Sequence, residues 1–419
     1  MKVALFNDSF PPQIDGVANA VVNYAKIIND GKNSSVAVVP EYPGADDSCF
    51  DFPVVRYPAL DMSKLTGYYA GTPFHAFVEK DLKEAGVDIL HSHCPIASTL
   101  MARSLRKPLD VPIVLTYHTK FDLDIANVIK LKLMQESAIR ALVANISSCD
   151  EVWTVSDGAG ANLRSLGYEG DYYVVENGVD VPNERLDENL TRKLTEECGI
   201  PENVPVYLFV GRLMWYKGIK IILDALAALK SQDYDFCAIF VGSGSDEQEI
   251  RSYVSSHGLG GKIIFTGPVS DREKLRALYC RADLMLFPST FDTNGLVVRE
   301  AAACSLPAVL VKGSCAAEGV KHCETGFLID EDPASMAVCL TTLNYNKSLV
   351  KEVGSKASSN LYISWNQAVA KAMDRYEVVI DKYKSGGYKR KHRVMDDFFT
   401  LMGDAMETIN KIKDRNDIF

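Results

Sequence analysis

The chain has 419 residues, and a composition of 47% hydrophobic and 24% charged residues excludes a disordered or fibrous protein. This length exceeds one ordinary hydrophobic core and predicts two domains of about 150–200 residues each. The net charge of −10 and the sequence pI of about 5.3 disfavour general nucleic-acid binding.

Targeting and redox signals favour a cytoplasmic protein. The first apolar run, KVALF, is shorter than a signal peptide requires, and no run approaches the roughly 18 apolar residues of a membrane span. The ten cysteines are scattered with no CxxC spacing. Such scattering is typical of reduced, mostly buried thiols, and it disfavours a zinc site.

Short apolar runs alternate with helical patterns along the whole chain. The strand candidates of the first half are KVALF, SVAVVP, VDILHSH, PIVLTYH, EVWTVS and YYVVENG. The pattern restarts near residue 205 with VYLFVGR, FCAIFVG, KIIFTG, DLMLFPS, PAVLV and GFLI. This alternation predicts an α/β protein with two Rossmann-like, doubly wound domains.

The polar segment DVPNERLDENLTRKL, which contains Pro182, marks the expected domain boundary. We therefore expect a first domain over residues 1–181 and a second over residues 182–365. Helical spacing runs from about Pro333 to Lys384, and a glycine pair then ends it.

A tail over residues 386–419 follows. Residues 382–393 carry six Lys or Arg and no acid, and an apolar stripe runs from Met395 to Ile409 at helical spacing. A basic run before an amphipathic helix suggests contact with an anionic membrane. Acidic residues on the polar face of that helix favour packing against the protein instead, and both interpretations stay open.

Two cations follow the strand VYLFVGR. Arg212 and Lys217 lie on the turn into the next helix, and ligands of open α/β sheets bind at the carboxyl ends of strands. Two positive charges beside a helix N-terminus suit a diphosphate. Either cation alone would be interpreted as part of a solvated helix start.

Two carboxylates follow the strand DLMLFPS. Asp292 and Glu300 are eight residues apart, and both can accept hydrogen bonds from ribose or sugar hydroxyls. The helix start between them offers backbone amides to a phosphate or a sugar hydroxyl, from Asn294, Gly295 and Leu296. A helix-capping or salt-bridged carboxylate is the alternative for Glu300.

These motifs resemble glycosyltransferase family 4, a group of retaining enzymes with the GT-B fold. The second half matches in GR-x4-KG (to Gly218), VGSGSDE (241–247), FTGPV (265–269), the Asp292 to Glu300 pair and TGFLI (325–329). The first half matches less tightly, in FPPQIDGVANAV (10–21), HSHCPIAS (91–98) and TYHTKFD (116–122). Asp292 departs from the Glu that the family usually has.

The resemblance implies a nucleotide-sugar donor, bound mainly by the second domain, and a cleft between two facing domains. Arg212 and Lys217 would neutralise the diphosphate, Glu300 would hold the ribose, and Asp292 would hold sugar hydroxyls. The remaining implied donor contacts are Gly16, Gly242, Gly267, Pro268, Asn294, Gly295 and Leu296. His118 would contact the transferred sugar, with a core histidine as the alternative. A helix over 366–385 would cross back to the first domain.

The resemblance also implies retaining transfer of a hexose, from a UDP-glucose-like donor, without a metal or other cofactor. Two DxD triplets, at 122–124 and 233–235, lack the pattern that surrounds metal-binding DxD motifs, so we interpret them as solvated. A non-catalytic sugar-binding subunit and a nucleotide-sugar epimerase are the alternatives outside the transferases.

The first half is most like the branch that glycosylates diacylglycerol or other lipids, which implies a cytoplasmic enzyme that can work at the inner face of a membrane. Lys130 and Lys132 lie on a helix-like stretch, 127–146, that could contact lipid. Against this, residues 1–180 hold 15 Lys or Arg and 23 Asp or Glu, a net charge of −8. A soluble sugar or polysaccharide, or another small acceptor, stays open.

Overall fold

The computed structural model describes residues 1–13, 15–62 and 69–388, apart from the side chains of residues 123, 124 and 127. The chain divides into two compact units. Unit 1 comprises Met1–Glu176 together with the chain from Trp365, and unit 2 comprises Asn177–Ser364. Most of the predicted basic and amphipathic tail, from residue 389 onward, lies outside the described residues.

Unit 1 contains a seven-stranded parallel sheet in the order β3-β2-β1-β6-β7-β8-β9, and β4 and β5 form a separate antiparallel pair. Its strands are β1 (Lys2–Phe6), β2 (Ser34–Pro40), β3 (Val54–Tyr57), β4 (Ala59–Asp61), β5 (Tyr69–Gly71), β6 (Ile89–Ser92), β7 (Ile113–Tyr117), β8 (Glu151–Thr154) and β9 (Tyr173–Val174). Its helices are α1 (Gly16–Ile28), α2 (Ala76–Ala85), α3 (Ala97–Leu109), α4 (Phe121–Val128), α5 (Lys132–Ser147) and α6 (Asp157–Ser165).

Unit 2 contains a six-stranded parallel sheet in the order β12-β11-β10-β13-β14-β15. Its strands are β10 (Val206–Val210), β11 (Cys237–Val241), β12 (Ile263–Gly267), β13 (Leu284–Phe287), β14 (Ala308–Val311) and β15 (Phe327–Ile329). Its helices are α7 (Glu188–Thr195), α8 (Ile219–Ser231), α9 (Glu247–Ser256), α10 (Arg272–Arg281), α11 (Leu296–Ala303), α12 (Pro333–Asn344) and α13 (Lys347–Leu361). A last helix, α14 (Trp365–Lys384), belongs to unit 1.

The central strands are continuous apolar runs because helices cover both faces of each sheet. In VYLFV of β10 and AVLV of β14 every residue is buried. The predicted doubly wound α/β architecture is therefore confirmed in both units.

The strand order reverses in each sheet next to its first strand. In unit 1 β1 lies between β2 and β6, and in unit 2 β10 lies between β11 and β13. The loops that follow these neighbouring strands leave the sheet in opposite directions, which opens a crevice at their carboxyl ends. The predicted site residues of each unit follow these strands or an adjacent one.

Two glycines shape the crevice of unit 2. Gly218 has φ +76°, and a Cβ there would lie 2.4 Å from the carbonyl oxygen of Pro288. Gly295 has φ +60°, and a Cβ there would lie 2.8 Å from the Cβ of Ala316. Glycine therefore lets the turn before α8 and the start of α11 approach neighbouring backbone more closely than a side chain would allow.

Helix α14 is held to unit 1 by aromatic packing and a buried ion pair. The Tyr376 ring is fully buried and stacks on Trp153 with the ring centroids 5.1 Å apart. Arg375 donates to both carboxylate oxygens of Glu151, at 2.7 and 2.6 Å. Since Glu151 is only 6% exposed, this bidentate contact compensates for its lost hydration.

Two local predictions were wrong. The stretch 127–146 is not one helix, because the chain is extended at Ile129 and Leu131, where the neighbouring β-branched Val128 and Ile129 have low helix propensity. The ten cysteines form no disulfide in the described residues, as expected, but only four of them are buried, whereas the sequence predicted mostly buried thiols. In the described ranges, no helix combines the length and the hydropathy needed to cross a membrane.

Candidate active site

Lys217 and Asp292 form the centre of the unit 2 site. Lys217 lies in a single 3₁₀ turn after β10, is 7% exposed, and places its Nζ 2.7 Å from Asp292 Oδ1. The rings of Tyr216 and Phe291 flank the ammonium group, with centroids 5.6 and 5.4 Å from Nζ. The Arg212 guanidinium lies 5.8 Å from the centroid of the Tyr216 ring, so both predicted cations contact this ring.

Four buried polar atoms on the loops after β13 and β14, one of them in Asp292 itself, have no hydrogen-bond partner among the residues that the structure describes. They are Ser289 Oγ, Asp292 Oδ2, Asn294 Nδ2 and Ser314 Oγ. All four follow β13 or β14, at the carboxyl end of the sheet. Buried polar atoms are normally paired, so this group of donors and acceptors is suited to a polar ligand.

Glu300 lies on α11 with a partner on the preceding helix. The Tyr279 hydroxyl donates to Glu300 Oε2 at 2.7 Å, and Arg272 Nη1 lies 3.7 Å from Oε1. Burial raises the pKa of Glu300, while the hydrogen bond from Tyr279 and the charge of Arg272 act in the opposite direction. The hydrogen bond from Tyr279 fixes Oε2 of Glu300, whereas Oε1 makes only a long ion pair with the exposed Arg272.

The other predicted donor contacts lie along the same edge. The Gly242 amide donates to the Gly267 carbonyl at 2.9 Å, directly after β11, and Pro268 follows β12. A Cβ on Gly242 would lie 2.1 Å from the Gly211 carbonyl oxygen, so only glycine fits there. Asn294, Gly295 and Leu296 form the start of α11, where Arg299 Nε donates to Asn294 Oδ1 at 3.2 Å.

The predicted histidine of unit 1 belongs to a buried group that we call the histidine cluster: His91, His93 and His118. His93 Nδ1 and His118 Nε2 share a hydrogen bond of 2.9 Å, and His91 contacts Tyr376 and Thr116 hydroxyls at 2.5 and 2.7 Å. Burial lowers the pKa of His118 to about 3 and the pKa values of the other two well below their ordinary range. His93 Nε2 has no hydrogen-bond partner among the described residues.

Gly16 begins α1 as predicted, but an acid caps this helix. Asp15 Oδ1 accepts the amides of Val17 and Ala18 at 2.9 and 2.7 Å. The carboxylate therefore occupies two of the amides that a diphosphate would use, and its charge would repel one. A Cβ on Gly16 would meet no atom within 4 Å, so the space beside it is open.

Three carboxylates of the two DxD triplets are among the described side chains: Asp122, Asp233 and Asp235. Asp235 pairs with Lys262, Asp233 has φ +60° in a turn, and Asp122 lies 3.4 Å from the Asn162 amide. Among the described residues there is no cluster of three or more His, Cys, Asp or Glu that could hold a metal.

The structure thus places Arg212, Lys217, Asp292 and Glu300 in unit 2, after the neighbouring strands β10 and β13, and places Gly16 and His118 in unit 1. The sequence analysis missed the partners of these residues. Tyr279, Ser289 and Ser314 carried no motif of their own. His93 carried a signal, since HSH follows a strand directly in the same way as His118.

Family models match both halves of the chain. Residues 14–182 match the model described as Glycosyltransferase Family 4, and residues 191–357 match the model described as Glycosyl transferases group 1. The chain belongs to glycosyltransferase family 4. The predicted family and the assignment as a glycosyltransferase are therefore confirmed.

Individual relatives are distant. The alpha-monoglucosyldiacylglycerol synthase of Streptococcus pneumoniae is 23% identical over 327 residues, covering 74% of this chain and 70% of the synthase. Anabaena HepE, solved with UDP and glucose, has a TM-score of 0.71 at 20% identity over 90% of this chain and 99% of its own. Sucrose-phosphate synthase from Thermosynechococcus elongatus has a TM-score of 0.74 at 19% identity over 91% and 99%. These likenesses confirm the predicted GT-B fold for this glycosyltransferase.

The histidine cluster predicts acid sensitivity. Since the folded pKa of each histidine lies below its ordinary value of 6.5, the unfolded chain binds more protons below about pH 6.5. The contribution of the three neutral histidines to the free energy of unfolding is therefore fully present above about pH 6.5 and is lost as the pH falls. We expect Tm to drop between pH 7.5 and pH 5, and to drop less in His91→Gln. The exposed His257→Gln serves as control, and equal slopes in all three proteins would refute this origin.

Proposed function

We propose that this glycosyltransferase moves a hexose from a UDP-glucose-like donor to an acceptor hydroxyl, with retention, and that the acceptor is a lipid such as diacylglycerol. The family assignment supports a nucleotide-sugar donor. A structural neighbour solved with UDP and glucose supports the donor type, and a relative named alpha-monoglucosyldiacylglycerol synthase supports the acceptor type. A cytoplasmic enzyme working at the inner face of a membrane fits this acceptor.

The observation that carries the proposal is the Lys217–Asp292 ion pair, together with polar atoms after β13 and β14 that lack hydrogen-bond partners among the described residues. Lys217 is buried and contacts one carboxylate oxygen of Asp292, while the second oxygen of Asp292 and three polar atoms that follow β13 or β14 lack partners among the described residues. A ligand that carries both negative charge and hydroxyl groups would satisfy both kinds of group. A nucleotide-sugar has a diphosphate for the cations and sugar hydroxyls for the oxygens.

Each residue then has a definite role in the transfer. Arg212 and Lys217 stabilise the negative charge that develops on the diphosphate as its bond to the anomeric carbon breaks. Asp292 Oδ2 accepts a hydrogen bond from a hydroxyl of the donor sugar and so holds the sugar ring in position. Glu300, which is held by the hydrogen bond from Tyr279, accepts a hydrogen bond from a ribose hydroxyl.

In unit 1, His118 is proposed to contact the transferred sugar. Its low pKa keeps the imidazole neutral at physiological pH, so it offers a hydrogen bond without a competing positive charge. His93 fixes its orientation through their shared hydrogen bond. Gly16 is proposed near the diphosphate, which requires Asp15 to release the amides that it caps.

Removing the cations tests the donor site. We expect Lys217→Ala and Arg212→Ala to weaken UDP binding and to slow transfer by about one to three powers of ten each, because a charge-assisted contact is lost. Lys220→Ala is the matched control, since Lys220 is exposed on the same helix start and bonds to Asp224 and Tyr253. If both site variants bind UDP as tightly as the wild type, these cations lie outside the donor site.

Chelation tests the proposed charge neutralisation. Because Arg212 and Lys217 supply positive charge to the leaving group, we expect the transfer rate to persist in excess EDTA. Measured turnover that disappears with EDTA and returns with Mn²⁺ would contradict this mechanism.

A donor screen by thermal shift, followed by an acceptor screen with the best donor, tests the substrates. Diacylglycerol in mixed micelles is the expected acceptor, and soluble sugars and polysaccharides are the competing set. Slow hydrolysis of the donor without acceptor would distinguish a transferase from a sugar-binding subunit, and formation of an epimeric nucleotide-sugar would indicate an epimerase.

A further inference from the structure

The segment that joins α4 to α5 exposes an unusual amount of apolar surface. We call residues 128–134, VIKLKLM, the linker patch. Its exposed large apolar side chains are Val128 (45% exposed), Leu131 (66%), Leu133 (73%) and Met134 (55%). In the described chain no other seven-residue stretch exposes more than two large apolar side chains to this extent. Such concentration on a surface indicates an interaction site.

The linker patch also carries positive charge. Lys130 and Lys132 are exposed and alternate with the apolar residues, and residues 125–135 contain no acid. This contrasts with the rest of the first half, whose net charge is negative. Apolar side chains interleaved with lysines match the boundary between acyl chains and anionic headgroups, where both kinds of group are stabilised together.

The short length of the exposed apolar segment favours a membrane over a protein partner. Helix α5 is exposed on most of its first turns and packs into the core through Ile139 and through its last turns, from Leu142 to Ile146. The exposed face beyond Met134 turns polar, with Glu136, Ser137 and Arg140. The apolar surface is therefore confined to one short segment in which lysines alternate with apolar side chains, and such a surface is suited to shallow insertion into lipid.

We propose that the linker patch docks this enzyme on an anionic lipid bilayer, with its apolar side chains in the headgroup–acyl boundary and its lysines on lipid phosphates. This inference rests on the proposed lipid acceptor. The chain order supports a functional link, because α4 begins three residues after His118 and spans about 12 Å. Docking through the patch brings the bilayer near the histidine that is proposed to contact the transferred sugar.

Vesicle sedimentation with the full chain tests the docking surface. We compare the wild type with Leu131→Ser/Leu133→Ser and with Lys130→Gln/Lys132→Gln, on phosphatidylcholine vesicles with and without phosphatidylglycerol. Val338→Ser/Tyr345→Ser is the control, because these unit 2 side chains are 67% and 79% exposed. The four serine and glutamine exchanges lie on the surface, so an unchanged Tm verifies folding.

We expect the wild type to bind anionic vesicles and the leucine variant to bind them at least about tenfold more weakly. The lysine variant should lose about tenfold on anionic vesicles only, and its binding should depend less on salt. The control variant should bind as the wild type does.

Several results would overturn the docking proposal. The first two are vesicle binding of the leucine variant that is as strong as that of the wild type, and an equal loss of vesicle binding in the control variant. The others are equal binding of the wild type to charged and uncharged vesicles, or a dimer that depends on the linker patch in place of vesicle binding. UDP binding is measured on every variant, because it separates the two proposals. Intact UDP binding with no vesicle binding refutes docking alone, whereas absent UDP binding in the wild type refutes the proposed donor site.

Discussion

The ion pair between buried Lys217 and half-buried Asp292 is the interaction on which the site of unit 2 depends. A lysine ammonium removed from water needs an opposite charge beside it, and Asp292 provides that charge at 2.7 Å. The pair satisfies one carboxylate oxygen and leaves the other without a partner among the described residues. The charges of the pair are thus compensated, but its hydrogen bonding is incomplete. The proposed nucleotide-sugar donor would supply the missing hydrogen bond.

Sheet topology explains why these residues meet. Lys217 follows β10, and Asp292 follows β13, which is the neighbour of β10 in the sheet. The left-handed Gly218 lets the first turn pack against Pro288 at the end of β13, which brings the lysine to the aspartate. In unit 1 the same logic places His93 and His118 after the adjacent strands β6 and β7, close enough to share a hydrogen bond.

The sequence was sufficient to predict the fold and the cluster of charged residues, because continuous apolar strands and the charges that follow them are both local signals. It could not predict Tyr279 as the partner of Glu300, since that contact depends on how α10 packs beside α11. Nor does the sequence show that Ser289 and Ser314, after β13 and β14, lack hydrogen-bond partners among the described residues. The break after Val128 was missed because apolar spacing alone does not show where a helix ends.

Calorimetric titration with uridine and with UDP tests the central claim most directly, because the two ligands differ only in the diphosphate. We expect UDP to bind the wild type about 100-fold more tightly than uridine does. In Lys217→Met this advantage should shrink by about tenfold or more, while uridine binds unchanged. An equal advantage of UDP in the variant and the wild type, or no advantage in either, would contradict the claim that Lys217 holds the diphosphate of the donor.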